Sequence, residues 1–423
     1  MSETGLSAKG EKPKRAKPSA PLMGAAEARA AMLRDLAALP AENVALERAL
    51  GRVLAAPVTA RRDQPPFRVS AMDGYAVKVA DTPGRLRLTG EAAAGRGFEG
   101  VIGAGETVRI STGAAVPEGT DAVVIQENVL IHKEVGRDGD WIEVPHAAPD
   151  DNVRPRAMDF TAGRQLLDAG LKLDGVALAL AAAAGAAELP VVRCPRVAIL
   201  SGGDELAAPG TVPGPFQIFD SGSHGIAGLI ESWGGRAERL PLEKDDIDSI
   251  ARAAEKGLES DLLVLVGGAS VGDHDHARPA LKKLGLELMV EKVALRPGKP
   301  TWFGRVRGKP VLGLPGNPAS ALVCAYLFLK PMIAAILGRR ADAAVRFVRA
   351  RLEQGLPANG SREHYLRSFL SSGADGMLAV RAFEQQDSSL LSVFAAANAL
   401  IRLAPDAPAF AAGALVDVLV LDR

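Results

Sequence analysis

The sequence DLLVLVGGASVGDHDH, at residues 261–276, contains the pattern that decides the fold. After the leading Asp, the next five residues are all apolar, as expected of a strand buried on both faces, and glycines follow directly. The segments RVAIL (196–200) and PVLGL (310–314) have the same character. Helical patterns lie between or after these strands, near 222–233, 246–257, 277–284 and 318–337. Buried strands alternating with helices predict a parallel sheet covered on both faces, which we assign to residues 193–340.

The rest of the chain falls into four regions by pattern. They are a disordered basic tail (1–21), an elongated helical and linker domain (22–60 and 148–192), an inserted all-β domain (61–147) and a C-terminal β domain (341–423). The linker domain is predicted to contain a helix over AAEARAAMLRDL (25–36) and a second short helix from Ala45 to Leu54. The pattern therefore predicts an α/β multidomain protein in which a β unit interrupts a helical one.

Composition excludes several classes of protein. Fifty basic residues balance fifty acidic ones, so a globally basic nucleic-acid binder is excluded. The two cysteines, Cys194 and Cys324, form neither a disulfide framework nor a CxxC zinc site. No apolar run reaches the ~20 residues of a membrane span, and the N-terminus lacks the apolar stretch of a signal peptide. We expect a cytoplasmic protein that binds neither nucleic acid nor membrane.

The ends of the predicted parallel strands are where a ligand is expected to bind. Glycine-rich or proline-containing loops follow three of them: SGGDEL (201–206), GGASVGDHDH (267–276) and PGNPAS (315–320). Gly267, Gly268 and Ser270 provide donors for an anion. Asn317 is expected to cap the helix that Pro318 begins. Together these loops predict a phosphate or oxyanion site, whereas either loop alone fits an ordinary tight turn.

Carboxylates on the same loops suggest a cation. They are Asp204, Glu205, Asp273 and Asp275. Carboxylates beside phosphates repel each other unless a cation lies between them, and Mg²⁺ prefers such oxygen ligands. Two alternatives remain open for the DHDH run: a transition-metal site using His274 and His276, or a solvated polar loop.

Basic residues occur near two further turns. Arg296, Lys299 and Lys309 surround the RPGKP turn (296–300), where Lys299 is either an anion contact or a surface lysine. Arg362 and Arg367 of SREHYLR are either a fork for an anion or two exposed strand arginines.

The sequence has no GxSxG, no P-loop and no HExxH motif, and no GxGxxG after the first parallel strand. These absences argue against a serine hydrolase, P-loop hydrolysis, a zincin and dinucleotide redox chemistry.

Six motifs in order resemble the molybdopterin molybdenumtransferase family, which includes the C-terminal domain of gephyrin. They are SAMDGYAV (70–77), RISTGAAVPEGTDAVVIQE (109–127), VAILSGGDEL (197–206), GGASVGDHD (267–275), RPGKP (296–300) and LPGNPAS (314–320). The resemblance implies a pterin-binding parallel domain that inserts molybdate into adenylated molybdopterin and releases AMP with the help of Mg²⁺. It also implies an elongated homodimer whose subunits complete each other's clefts. Molybdopterin adenylyltransferase and molybdoenzyme acceptors are the implied partners.

The resemblance assigns roles residue by residue. The catalytic positions that it implies are Asp73, Glu205, Asp245 (with Asp246 as an alternative) and Asp275, and Asp275 and Glu205 are the metal ligands. Together with the loop residues above, the predicted substrate-binding set is Thr112, Asp159, Gly267, Gly268, Ser270, Lys299, Pro315, Gly316, Asn317, Pro318, Arg362, Arg367 and Ser388. Three stretches depart from the family pattern: Gly202 replaces a Thr, Ala157 and Met158 replace Gly-Glu, and residues 273–276 replace a Glu, a small residue and an aromatic.

Two other functions fit part of the pattern. One is a molybdopterin adenylyltransferase that uses ATP, although such a protein normally lacks the two β units. The other is a scaffold of the gephyrin type, although intact Asp73, Glu205 and Asp275 argue against pure scaffolding.

Overall fold

The computed structural model describes residues 22–132, 140–243, 246–267, 276–373 and 375–422, and the predicted tail 1–21 lies outside them. Two compact units form: Pro40–Arg193, and the remainder on either side of it. The helices are α1 (Ala25–Leu33), α2 (Gly175–Ala183), α3 (Gly222–Ser232), α4 (Ile247–Gly257), α5 (Ala277–Lys283), α6 (Pro318–Cys324), α7 (Lys330–Ile336) and α8 (Leu391–Ala396).

Most strands of the unit Pro40–Arg193 are two to five residues long. The strands are β1 (Ala41–Ala45), β2 (Val58–Thr59), β3 (Val69–Ser70), β4 (Gly74–Val77), β5 (Gly84–Ala92), β6 (Glu106–Ile110), β7 (Ala122–Ile125), β8 (Leu130–His132), β9 (Trp141–Val144), β10 (Val153–Arg154), β11 (Gln165–Leu167) and β12 (Glu188–Val192). Six of them form one sheet in the order β7-β4-β6-β5-β9-β8. The motif strand β4 lies between β7 and β6 in this sheet and is buried along its whole length.

The short helix predicted from Ala45 to Leu54 is wrong. Ala45 ends strand β1, which pairs antiparallel with β12, and only Leu46–Arg48 forms a single 3₁₀ turn. Gly51 then has a φ of +75°, which interrupts a helix, and Leu54 bridges to Val191. Strand pairing with a distant segment therefore overrides the local helical pattern.

The second unit contains the α/β domain and the C-terminal domain. Its strands are β13 (Arg196–Ser201), β14 (Leu206–Ala207), β15 (Ile218–Phe219), β16 (Arg236–Arg239), β17 (Leu262–Val266), β18 (Leu286–Val290), β19 (Leu295–Arg296), β20 (Trp302–Val306), β21 (Lys309–Leu314), β22 (Phe347–Leu352), β23 (Glu363–Ser372), β24 (Leu378–Ala382), β25 (Ala399–Leu403) and β26 (Leu415–Val420). Helix α1 also belongs to this unit and buries Ala28 and Met32, whereas the pattern grouped residues 22–60 together.

The α/β domain has a six-stranded sheet in the order β16-β13-β17-β21-β20-β18. The first four strands are parallel as predicted, with helices packed against them. Strand β20 runs antiparallel to both of its neighbours, β21 and β18, which the sequence pattern did not predict. The cause is a tight hairpin at Arg307 and Gly308, whose φ values of +50° and +77° are those of a type I′ turn.

The long apolar helix predicted near 318–337 is continuous. A π-helical stretch, Ala325–Leu329, joins α6 to α7. Among the described residues, only this helix, Pro318–Ile336, is long and apolar enough to cross a membrane, and 89% of its apolar window is buried within the protein. Such burial is expected of the central helix of a domain.

The C-terminal domain is a closed barrel. Strands β23, β24, β22, β26 and β25 pair in turn, and β25 pairs back with β23. The short strand β19 of the α/β domain joins β23 in parallel, with Leu295 opposite Glu363 and Arg296 opposite His364. This pairing ties the RPGKP turn to the SREHYLR strand, and it creates the candidate site.

Candidate active site

The predicted ligand loops lie together at the ends of neighbouring parallel strands. Strands β13, β17 and β21 are adjacent, and the Gly267 amide donates to the Leu314 carbonyl at 3.2 Å. A Cβ on Gly316 would lie 3.4 Å from the Gly267 Cα, so the two loops touch through their glycines. Gly267 has a φ of +91°, which favours glycine. Gly268, Ser270 and Asp275 lie outside the described residues.

Asn317 has a different partner from the one expected. It precedes Pro318 at the start of α6, but its side chain does not cap that helix. Its Nδ2 donates instead to the Ser388 Oγ at 2.7 Å. The loop before α6 is therefore connected to the loop that precedes α8, and two residues predicted from separate motifs are in direct contact.

A cavity of about 550 Å³ opens where the RPGKP turn, the loop before α6 and the barrel meet. Its lining is Arg296, Pro297, Gly298, Lys299, Pro300, Pro315, Asn317, Ser320, Arg362, His364, Gln386, Asp387 and Ser388. The lining contains three permanent cations and one carboxylate. That carboxylate, of Asp387, accepts from the amide and hydroxyl of Ser389. The cavity is therefore suited to an anion.

The two arginines of SREHYLR have different positions. Arg362 lines the cavity, and its Nη1 donates to the Leu295 carbonyl at 3.2 Å. Arg367 is 1% exposed and lies behind the cavity wall. Its Nε donates to the Gln386 Oε1 at 3.1 Å and its Nη1 to the Asp387 carbonyl at 2.7 Å. Arg367 therefore holds the loop that carries Ser388 and is a positioning residue.

His364 is a cavity residue that the sequence patterns did not single out. Its side chain is 8% exposed. Burial, reinforced by the positive charges of Arg296, Arg362 and Arg367, lowers the pKa of His364 to about 4. The sequence could have indicated His364 through its position two residues after Arg362, because alternate residues of a strand share a face.

Lys309 does not belong to the cluster around the RPGKP turn. It starts β21, and its Nζ donates to the Ser260 carbonyl at 3.1 Å. The cavity lies beyond the other end of this strand, where Pro315 follows Leu314. A six-residue strand separates its ends by roughly 17–20 Å, so Lys309 is too far away to contact a ligand there.

Asp73 and Thr112 lie in the other unit and are in direct contact. The Asp73 Oδ1 accepts from the Thr112 amide at 2.6 Å and from its Oγ1 at 2.9 Å. They meet because Gly74 of β4 pairs with Ile110 of β6. The hydrogen bonds from the Thr112 amide and hydroxyl lower the pKa of Asp73, so it is a carboxylate at neutral pH.

A second cavity in the unit Pro40–Arg193 contains Asp159. It measures about 670 Å³ and is lined by Arg62, Gln64, Pro65, Pro66, Phe67, Val69, Gly113, Arg154, Met158 and Asp159. Gly113 follows Thr112 directly, so this cavity adjoins the Asp73–Thr112 pair. The predicted residues of this unit therefore cluster as well.

The predicted cation ligands are only partly described. Glu205 is exposed on the loop after β13. Asp245 and Asp275 lie outside the described residues, as do Asp273 and His274. Among the residues that the structure does describe, no group of three or more His, Cys, Asp or Glu side chains is arranged to hold a metal ion.

Asp246, the alternative to Asp245, caps helix α4. Its Oδ1 accepts from the Ser249 amide at 2.8 Å, and the hydrogen bonds from Ser249 lower the pKa of Asp246. We expect Asp246→Ala to lower the midpoint of thermal unfolding while changing turnover less than about twofold. Asp246→Asn, which keeps a capping oxygen, is the control and is expected to retain both. A large loss of turnover in the stable Asp246→Asn variant would make Asp246 the functional residue.

The charge of Asp73 can be tested separately from its hydrogen bonds. Asn keeps an oxygen that accepts from Thr112, so we expect Asp73→Asn to unfold like the wild type while turnover falls by roughly tenfold or more. Asp73→Ala, which also releases the Thr112 loop, is the comparison. A shifted unfolding curve for Asp73→Asn, or unchanged turnover, would mean that the residue only anchors the loop.

Comparison with known proteins gives the family. Residues 23–185 match the model of the MoeA N-terminal region (domains I and II), 198–335 that of a probable molybdopterin-binding domain, and 349–421 that of the MoeA C-terminal region (domain IV). A molybdopterin molybdenumtransferase of Haemophilus influenzae is 33% identical over 93% of this chain and 97% of its own. The chain belongs to the molybdopterin molybdenumtransferase family. A second such protein, from Nostoc sp., is 35% identical over 77% of this chain and 76% of its own.

The fold agrees with this family. A crystal structure of a molybdopterin biosynthesis MoeA protein from Pyrococcus horikosii superposes with a TM-score of 0.82. It is 29% identical and covers 95% of this chain and 100% of that one. The predicted fold class, an α/β domain with an inserted β domain and a C-terminal β domain, is confirmed.

Proposed function

We propose that this chain is a transferase that inserts molybdenum into molybdopterin during molybdenum cofactor biosynthesis. The single observation that best supports it is the cationic cavity of about 550 Å³ beside the strand-end loops. Lys299, Arg362 and Ser388, which were predicted from three separate motifs, all line it. Molybdate is a tetrahedral dianion, and cations with a hydroxyl are the donors that such an ion needs.

The proposed substrate is adenylated molybdopterin, with its phosphates on the loops at Gly267 and Gly316. The backbone there approaches closely because both positions lack a side chain. Molybdate then binds next to a substrate that is itself negative. Lys299 and Arg362 offset this repulsion, and holding two anions in one orientation supplies much of the rate enhancement. AMP is the proposed leaving group.

Mg²⁺ is part of the proposal through Glu205 and Asp275. Glu205 fits the role because its carboxylate is exposed at the strand end and accepts no hydrogen bond from any described residue. Carboxylate oxygens are the ligands that Mg²⁺ prefers. When bound, the ion would neutralise negative charge on the phosphates.

The unit Pro40–Arg193 is proposed to serve the same reaction through Asp73, Thr112 and Asp159. We also propose that the chain acts as a cytoplasmic homodimer, that it receives its substrate from a molybdopterin adenylyltransferase and that it passes its product to molybdoenzymes. The cytoplasmic location rests on composition, and the other points rest on the family resemblance.

The decisive test is incubation of the purified chain with adenylated molybdopterin, Mg²⁺ and molybdate. We expect AMP release that depends on molybdate, with formation of a cofactor that activates a molybdoenzyme apoprotein. Consumption of ATP with molybdopterin instead would identify an adenylyltransferase. Absence of both reactions, with retained binding of a partner peptide, would identify a scaffold.

A further inference from the structure

His364 is placed to contact an anion in the cationic cavity. It lies on β23, where Arg296 of β19 pairs with it on one side and Leu403 of β25 on the other. Its side chain lines both the cavity of about 550 Å³ and a neighbouring one of about 350 Å³. Among the described residues, its ring has no hydrogen-bond partner. The ring nitrogens are not among the fully buried polar atoms without a partner, so they are accessible from the cavity and can contact a ligand there.

We propose that His364 takes up a proton when an oxyanion binds in this cavity and donates the resulting N–H to the anion. The proposal rests on the proposed function for the identity of the anion, molybdate. The proton comes from solvent: a ring nitrogen lone pair accepts it when the dianion enters, and it returns to solvent when the anion leaves. His364 is thus a fourth anion-binding group, beside Arg296, Lys299 and Arg362.

The charges around His364 explain why it takes up a proton only when the anion binds. The charged groups on the elements packed against it are Arg296 and Lys299 on the turn, Arg362 directly before its strand, Glu363 and Arg367 on that strand, Arg402 on β25, and Glu384 and Asp387 on the loop before α8. Glu363 accepts from Tyr365 and Arg402, and adjacent strand residues point to opposite faces, so its charge is directed away from His364.

Without an anion, positive charge dominates around the ring. Burial and the three arginines hold the pKa of His364 at about 4, so the ring is neutral near pH 6. A bound dianion offsets those arginines and raises the pKa. Because the anion-bound form holds the proton more tightly, anion affinity rises as the pH falls towards 4, and it is constant above the pKa of the bound form.

The test is calorimetric titration of dilute sodium molybdate into the full chain, in two buffers of different ionisation enthalpy. For the wild type near pH 6 we expect uptake of roughly half to one proton per anion, and an affinity that weakens by up to about tenfold per pH unit between about pH 5.5 and 7. His364→Gln is expected to bind without proton uptake and with an affinity independent of pH.

The control is His224→Gln. His224 is exposed on α3, and its Nδ1 lies 3.2 Å from the Arg239 Nη1, so it is also an arginine-paired histidine but lies outside the cavity lining. It should behave like the wild type. NMR of the histidine side chains in the wild type tests the proposal without any variant. One of the six histidines should titrate at low pH, and molybdate should raise its pKa.

The outcomes separate this proposal from the proposed function. Molybdate binding without proton uptake in the wild type, or uptake that persists in His364→Gln, overturns the role of His364 and leaves the transferase intact. Failure of wild-type chain to bind molybdate at all contradicts the proposed molybdate site itself. Uptake that disappears in His364→Gln but persists in His224→Gln supports the proposal.

Discussion

Replacing Lys299 by Met is expected to lower the rate of molybdenum insertion at subsaturating molybdate by about 100-fold, with an unfolding curve like that of the wild type. Lys299 lines the cationic cavity and its side chain is exposed, so the substitution removes a charge and little packing. The effect is large because the charge acts where two anions must approach each other. The rate is read from AMP release over a series of molybdate concentrations.

Two controls make the Lys299 result specific. Lys299→Arg keeps the positive charge and should retain most of the rate. Lys309→Met removes a lysine of the same unit that donates to the Ser260 carbonyl at the far end of β21, and it should leave the rate unchanged. Equal losses in Lys299→Met and Lys309→Met would mean that net charge matters and the cavity does not.

The parallel strands of the α/β domain were predictable because each is a short apolar run with a turn signal after it. The predicted segments 196–200, 261–266 and 310–314 match β13, β17 and β21 closely. Those three strands also predict that the loops at Gly267 and Gly316 lie together, because parallel strands end at the same edge of a sheet. Local chemistry therefore determined this half of the candidate site.

The other half depends on pairings between distant segments. No local pattern places Arg296 beside His364, because β19 has only two residues and joins a strand of another domain. The Asn317–Ser388 hydrogen bond spans 71 residues and replaces the expected helix cap. The hairpin at Arg307 was missed for a different reason: a left-handed arginine gives no composition signal, although Gly308 follows it.

Replacing Gly298 by Ala is expected to lower the free energy of unfolding by about 4 kcal/mol and to abolish most activity. Gly298 is buried in the RPGKP turn with a φ of +119°, a conformation that side chains rarely adopt. A Cβ there would lie 2.4 Å from the Cys324 Sγ and 2.9 Å from the Leu295 Cδ2. Denaturant unfolding, followed by fluorescence of the buried Trp302, measures the loss.

Two further variants separate backbone strain from the steric clash. Gly308→Ala also has a positive φ, of +77°, but a Cβ there meets nothing within 4 Å, so only the strain of about 1–2 kcal/mol is expected. Adding Cys324→Ala to Gly298→Ala removes the nearest obstacle and should recover part of the clash energy, which a double-mutant cycle isolates. If Gly298→Ala were as stable as Gly308→Ala, the turn would not be packed on α6. The position of Lys299 would then not depend on that helix.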